Sequence, residues 1–170
     1  MMAKLLLSQI ATKSTLIKNS GSYPVVISLV SYTGTNNTKK YKNIVQVALG
    51  FTTENKESIY KICTTYIYPG SALYEDLNVI CGGFSFLDEY EDFDLFSILG
   101  KQVLLDVIIK NDGDKFYPII KKMSPLNNSF DASNIDLVRF SFDYIDEMYK
   151  IPDWICNYIK SSKEWKAAYE

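Results

Sequence analysis

Lys39-Lys40-Tyr41-Lys42 sets three ammonium groups around one phenol ring. Further on, Tyr60, Ile62, Thr64, Tyr66 and Tyr68 recur at every second position. Strand side chains switch faces at each residue, so this spacing gathers three tyrosines on one side of an extended segment. A side sealed into a core would favour aliphatic residues, because each buried phenol needs a polar partner. Rings beside lysines suit the holding of an unpaired nucleic-acid strand, with bases stacking on the rings and cations tracking the phosphates. The plainer alternative is that tyrosine simply has high strand propensity and packs well on a half-buried sheet.

Other chemistry is thin. Histidine is absent from the 170 residues, which removes Ser-His and Cys-His nucleophile pairs and most zinc sites. Asp88, Glu89, Glu91, Asp92 and Asp94 place five acids in seven positions, a set that could hold magnesium for phosphoryl transfer. A solvated loop that repels a polyanion explains the cluster more simply. Cys63, Cys81 and Cys156 are odd in number, far apart and in apolar contexts, so they read as buried thiols. The expectation is a protein without catalysis, metal or cofactor.

The net charge of −2 hides a division along the chain. Residues 1–70 carry +6, residues 71–100 carry −7, residues 101–125 carry +2 and residues 126–170 carry −3. Local potential along a groove decides binding, so slight overall acidity leaves a nucleic-acid ligand open. Arg139 is the one arginine. Its isolation argues against base-specific readout, which most often uses a bidentate guanidinium. No apolar run approaches the ~18 residues of a membrane span, and Leu5–Leu7 is too short for the apolar core of a signal peptide. A cytoplasmic protein that does not enter membranes is expected.

These side chains need a scaffold. Alternation predicts strands over Val25–Thr33, Lys42–Thr52 and Ile59–Tyr68, the last two joined by the polar turn Thr53–Glu57. Pro69-Gly70 stops the third strand, and Ser71 caps a helix over Ala72–Cys81 that Gly82-Gly83 ends. Strands Val103–Lys110 and Phe116–Met123 flank Asp112-Gly113, a hairpin signal. Gly50 permits a bulge or sharp bend. Residues 1–20 show no clear period. Residues 127–150 read as a linker with a short added strand at Val138–Phe142, and a C-terminal helix starts near Ile151-Pro152.

Five strands with a helix between the third and fourth is the element order of the OB fold, a small partly open barrel that binds oligonucleotides on its second and third strands and nearby loops. The expected fold is therefore mainly β: an OB domain over 21–126, an N-terminal segment over 1–20, and a linker with a helical appendage over 127–170. In that fold Tyr60, Tyr66, Tyr68, Lys39, Lys40, Tyr41 and Lys42 share one patch with Lys115 and Phe116 of the last hairpin, and Tyr32 joins as a stacking candidate.

The chain resembles the OB-fold single-stranded DNA-binding proteins of bacteriophages, especially those of lactococci and related hosts. The resemblance spans roughly residues 21–165. It rests on Phe93-Asp94-Leu95 with Leu99-Gly100-Lys101, on Phe116-Tyr117-Pro118-Ile119 with Ser124-Pro125-Leu126, and on Ile151-Pro152-Asp153-Trp154-Ile155 with Ser162-Lys163-Glu164-Trp165. It implies coating of single strands in the host cytoplasm during phage replication and recombination. A homodimer or higher oligomer, contacts with host or phage replication proteins, and no cofactor are implied too. Cellular counterparts end in an acidic tail, whereas this sequence closes Lys163–Glu170, which leaves its C-terminal helix for self-association or docking. The alternative is a phage interaction module that uses the same barrel for other contacts.

Overall fold

A computed structural model describes residues 15–83 and 93–170. The acids Asp88, Glu89, Glu91 and Asp92 and the segment 1–14 lie outside the described residues.

The architecture is mainly β. Seven strands are present among the described residues: β1 (Thr15–Leu16), β2 (Gly21–Asn36), β3 (Ile44–Thr53), β4 (Glu57–Thr64), β5 (Gln102–Asp112), β6 (Lys115–Pro125) and β7 (Val138–Phe140). They form one mixed, open sheet in the order β1-β4-β3-β2-β5-β6, with β7 added parallel to β2. The α-helices among the described residues are α1 (Ala72–Ile80), between β4 and β5 as expected, then α2 (Asp153–Lys160) and α3 (Lys163–Tyr169). The mainly β character expected from the sequence is present, but the hydrogen bonding among the described residues gives an open mixed sheet and does not close a five-stranded barrel. Residues of β4 and β6 come within 8 Å, Cα to Cα, with no pairing between these strands.

β2 organises the sheet. It is longer than the alternation predicts, because Gly21–Pro24 continue the ladder ahead of Val25: Tyr23 pairs with Leu105 and Pro24 with Leu104 of β5. Its first half thus pairs with β5, and Leu29–Ser31 pair with β7. Register shifts between Ile27 and Leu29 and between Tyr32 and Gly34 let one strand serve both neighbours, since an inserted residue bends the strand. The first shift lies against Gly50, where a Cβ would come within 2.7 Å of Leu29 Cβ. The bend expected of Gly50 is therefore taken up by β2.

Two apolar clusters use the two sides of this sheet. On one side Val25, Ile27, Val30, Val47, Leu49, Phe51, Ile59, Leu105 and Val107 pack with Leu73 and Leu77 of α1. Ser71 caps α1 by accepting a hydrogen bond from Tyr74 N–H at 3.2 Å. On the other side Leu29 and Ala48 meet Phe140, Ile151, Ile155 and Ile159, with Tyr60 and Trp165 packed around them. Residues 127–170 thus add a strand and a second core. The C-terminal region forms two helices where one was expected, because Ser162 ends one and caps the next: its hydroxyl donates to Ile159 C=O at 2.6 Å and accepts from Trp165 N–H at 3.2 Å.

Candidate nucleic-acid interface

The β2–β3 loop leaves the sheet after Asn36, which pairs with Ile44. Thr38 closes it locally: its N–H donates to Tyr41 C=O at 2.7 Å, and its hydroxyl accepts from Tyr41 N–H at 2.9 Å. Asn43 turns the chain back at φ 58°, a left-handed conformation that asparagine tolerates. Lys39, Lys40, Tyr41 and Lys42 are all exposed on this turn, and Lys40 Nζ lies 5.5 Å from the Tyr41 ring centroid.

β4 stops at Thr64, four residues before the expected end, so Tyr66 and Tyr68 belong to a loop. Gln46 pairs with Thr64 and Thr65 N–H donates to Val45 C=O at 3.0 Å, so the chain reaches Tyr66 beside Ile44, at the root of the basic loop. Ser71 holds this segment as well as the helix. Its hydroxyl donates to Tyr66 C=O at 2.8 Å, and its N–H donates to Tyr68 C=O at 2.9 Å. Tyr66 and Tyr68 are 48% and 54% exposed, with centroids 6.4 Å apart and planes inclined by 45°. Two accessible rings thus sit on a pinned loop beside the foot of the loop that carries three exposed lysines.

The other candidates fall elsewhere. Tyr60 is half-buried under the C-terminal helices and meets Trp154 edge-on, so it does not share an open face with Tyr66 and Tyr68. Tyr32 packs against the first core and against Phe96, 5.7 Å away at 82°. Burial pushes its phenol above the ordinary range, with the charge of Asp94 adding to the rise. Lys115 and Phe116 lie on the β5–β6 hairpin, where Gly113 turns the chain at φ 64°. Gly21 pairs with Val107, so this hairpin runs on past the start of β2, whereas the basic loop leaves its end. Phe116 is 69% exposed, and the neighbouring Tyr117, which alternation alone did not single out, is exposed too.

Four further groups are accounted for by structure. Lys61 bonds Asp76 of α1 at 2.7 Å. Arg139 lies over the Tyr144 ring at 4.3 Å and near Phe96 at 5.8 Å, which leaves its guanidinium engaged with rings. Asp94, the described member of the acidic cluster, accepts a hydrogen bond from Phe96 N–H at 3.0 Å. Cys63 is buried, and burial pushes its thiol up to about 12, with Lys61 pulling it down and Asp76 raising it. Such a thiol is not a nucleophile at neutral pH.

No protein-family model matches the chain, and no curated protein matches it in sequence. No helix among the described residues is long and apolar enough to cross a membrane.

Proposed function

We propose that the protein binds single-stranded DNA without sequence preference and coats it during phage DNA replication and recombination, as a non-catalytic, cofactor-free homo-oligomer in the host cytoplasm. The observation that carries this reading is that the β3–β4 register brings Tyr66, with Tyr68 6.4 Å from it, beside the foot of the loop that bears Lys39–Lys42. Stacked bases contribute about 1–3 kcal/mol each and lysines add a salt-dependent term blind to sequence. The engagement of Arg139 with rings fits the same absence of base readout.

The sheet supports an OB-type reading of the fold. β2 to β6 are then the five strands of the barrel, α1 is the helix between its third and fourth strands, and the seam lies between β4 and β6. The usual platform of such a barrel, the outer side of its second and third strands, carries the C-terminal helices here. The DNA path is therefore assigned to the end of the sheet, over the loops.

Titration of a fluorescent oligo-dT and a matched duplex tests this. The single strand is expected to bind at least tenfold more tightly at moderate salt. Equal affinity for the two would overturn the reading. No binding at low salt, together with a defined protein partner, would favour the interaction module instead.

A further inference from the structure

The basic loop has a second neighbour. Ser161, between α2 and α3, donates its hydroxyl to Asn36 Oδ1 at 2.9 Å. Glu164 accepts from Thr35 N–H at 2.7 Å and from the Thr35 hydroxyl. A Cβ on Gly34 would come within 2.5 Å of Ser162 Cβ, so glycine is what lets the corner sit so close. Gly34, Thr35 and Asn36 are the last residues of β2, and together they fasten the α2–α3 corner to the root of the loop. Lys39 follows Asn36 by three residues, so their Cα atoms are at most about 11 Å apart.

The corner carries the same side-chain types as the loop. Lys160, Lys163 and Lys166 are exposed. Of the acids on α3, Glu164 is turned into the Thr35 clasp, and Glu170 stands at the far end. Trp165 and Tyr169 lie 4.2 Å apart at 33°, and Tyr169 is 54% exposed. Lys166 and Tyr169, three residues apart, share a helix face. Six lysines on two adjoining segments, Lys39, Lys40, Lys42, Lys160, Lys163 and Lys166, complement a polyanion that passes over both.

We propose that the α2–α3 corner is a second contact surface for single-stranded polynucleotide, with Lys160, Lys163 and Lys166 on its phosphates and Tyr169 as a stacking face. This rests on the single-strand reading above and extends its track from Tyr66 and Tyr68, across the loop, to α3. A strand too short to span the track does not reach the corner.

The test compares the full chain with Lys163→Gln/Lys166→Gln and with Tyr169→Ala, using oligo-dT of about 5 and about 16 nucleotides at several salt concentrations. Lys163, Lys166 and Tyr169 are exposed, but Tyr169 also lies against Trp165, so thermal midpoints are measured alongside and binding is compared where each variant is fully folded. For the long strand, the double variant should bind about 5–20-fold more weakly, with a salt slope shallower by about 1.4. Tyr169→Ala should bind the long strand more weakly at an unchanged slope. Binding of the short strand should not change. If the wild type binds and these variants bind the long strand as it does, the corner is not part of the track and the loop assignment stands. Equal losses for both lengths would also overturn the extended track. If the wild type binds neither strand, both readings fall.

Discussion

The Tyr60 and Trp154 rings meet edge to face, with centroids 6.1 Å apart and planes at 78°. The contact joins the tyrosine side of β4 to the first turn of α2, and it fixes what that side does. Tyr60 also lies against Gly50, where a Cβ would come within 3.0 Å of its ring, so the phenol fills the space a larger residue would take. Its role is packing.

A double-mutant cycle on these two residues checks that assignment. Tyr60→Ala and Trp154→Ala should each lower unfolding free energy in urea, with a coupling of about 0.5–1.5 kcal/mol. Oligo-dT affinity of the folded variants should change less than twofold. A large affinity loss without a stability loss would return Tyr60 to the binding surface.

Tyr66 should behave in the opposite way. Its ring is 48% exposed and touches Tyr68 rather than a core. Tyr66→Ala is expected to leave the urea midpoint unchanged and to weaken oligo-dT binding by about 1–3 kcal/mol. The same denaturation and titration experiments read both quantities.

This contrast marks how far the sequence could be read. Alternation located five of the strands, Ser71 announced α1, and Asp112-Gly113 announced the last hairpin, because local side-chain chemistry decides each of these. Alternation also continued through Tyr66 and Tyr68, where the strand has already ended: a period of two does not register that the partner strand β3 begins at Ile44. Nor did it tell which tyrosines are covered. Tyr60 is covered by residues about a hundred positions later, and Tyr32 by Phe96, contacts set by long-range packing. The basic loop stayed on the surface as expected, since three neighbouring ammonium groups are costly to bury.

Lys61 and Asp76 supply a pH test of the fold. Burial raises the Asp76 carboxyl, Lys61 partly offsets this through its hydrogen bond and charge, and Glu75 adds to the rise. A carboxyl raised above its unfolded value binds protons more readily when folded, so stability falls as pH climbs from about 3.9 through the folded value. Lys61→Met removes the counter-charge and extends that loss upward. The variant should lose about 1–3 kcal/mol relative to wild type at pH 7 and less at pH 4, measured by denaturant titration at both values. A pH-independent difference would contradict the assignment.

Gly34→Ala addresses the clasp under the C-terminal helices. The residue sits at φ 85° and its new Cβ would collide with Ser162, so the α2–α3 corner should lift and become sensitive to limited proteolysis while the first core persists. Glu164 gives an independent handle. Burial works to raise its carboxyl, but the two Thr35 hydrogen bonds, with Lys163, leave it below the ordinary range. A depressed carboxyl stabilises above its unfolded value, near 4.3, and that contribution is lost as pH falls through the folded value. Cleavage beside Trp165 or Tyr169 should therefore speed up below about pH 4 in wild type and already be fast above it in Gly34→Ala. An acid-active protease reads it, and equal rates at every pH would remove the clasp.

The central claim is that the Lys39–Lys42 turn meets phosphates while Tyr66 and Tyr68 meet bases. The most direct measurement is the salt dependence of oligo-dT affinity for wild type, for Lys39→Gln/Lys40→Gln/Lys42→Gln and for Tyr66→Ala/Tyr68→Ala. Each lost phosphate contact reduces the slope of log K against log salt by about 0.7, so the triple lysine variant should be shallower by about 2. The tyrosine variant should bind more weakly at an unchanged slope. A lysine variant with the wild-type slope would contradict the interface proposed for this loop.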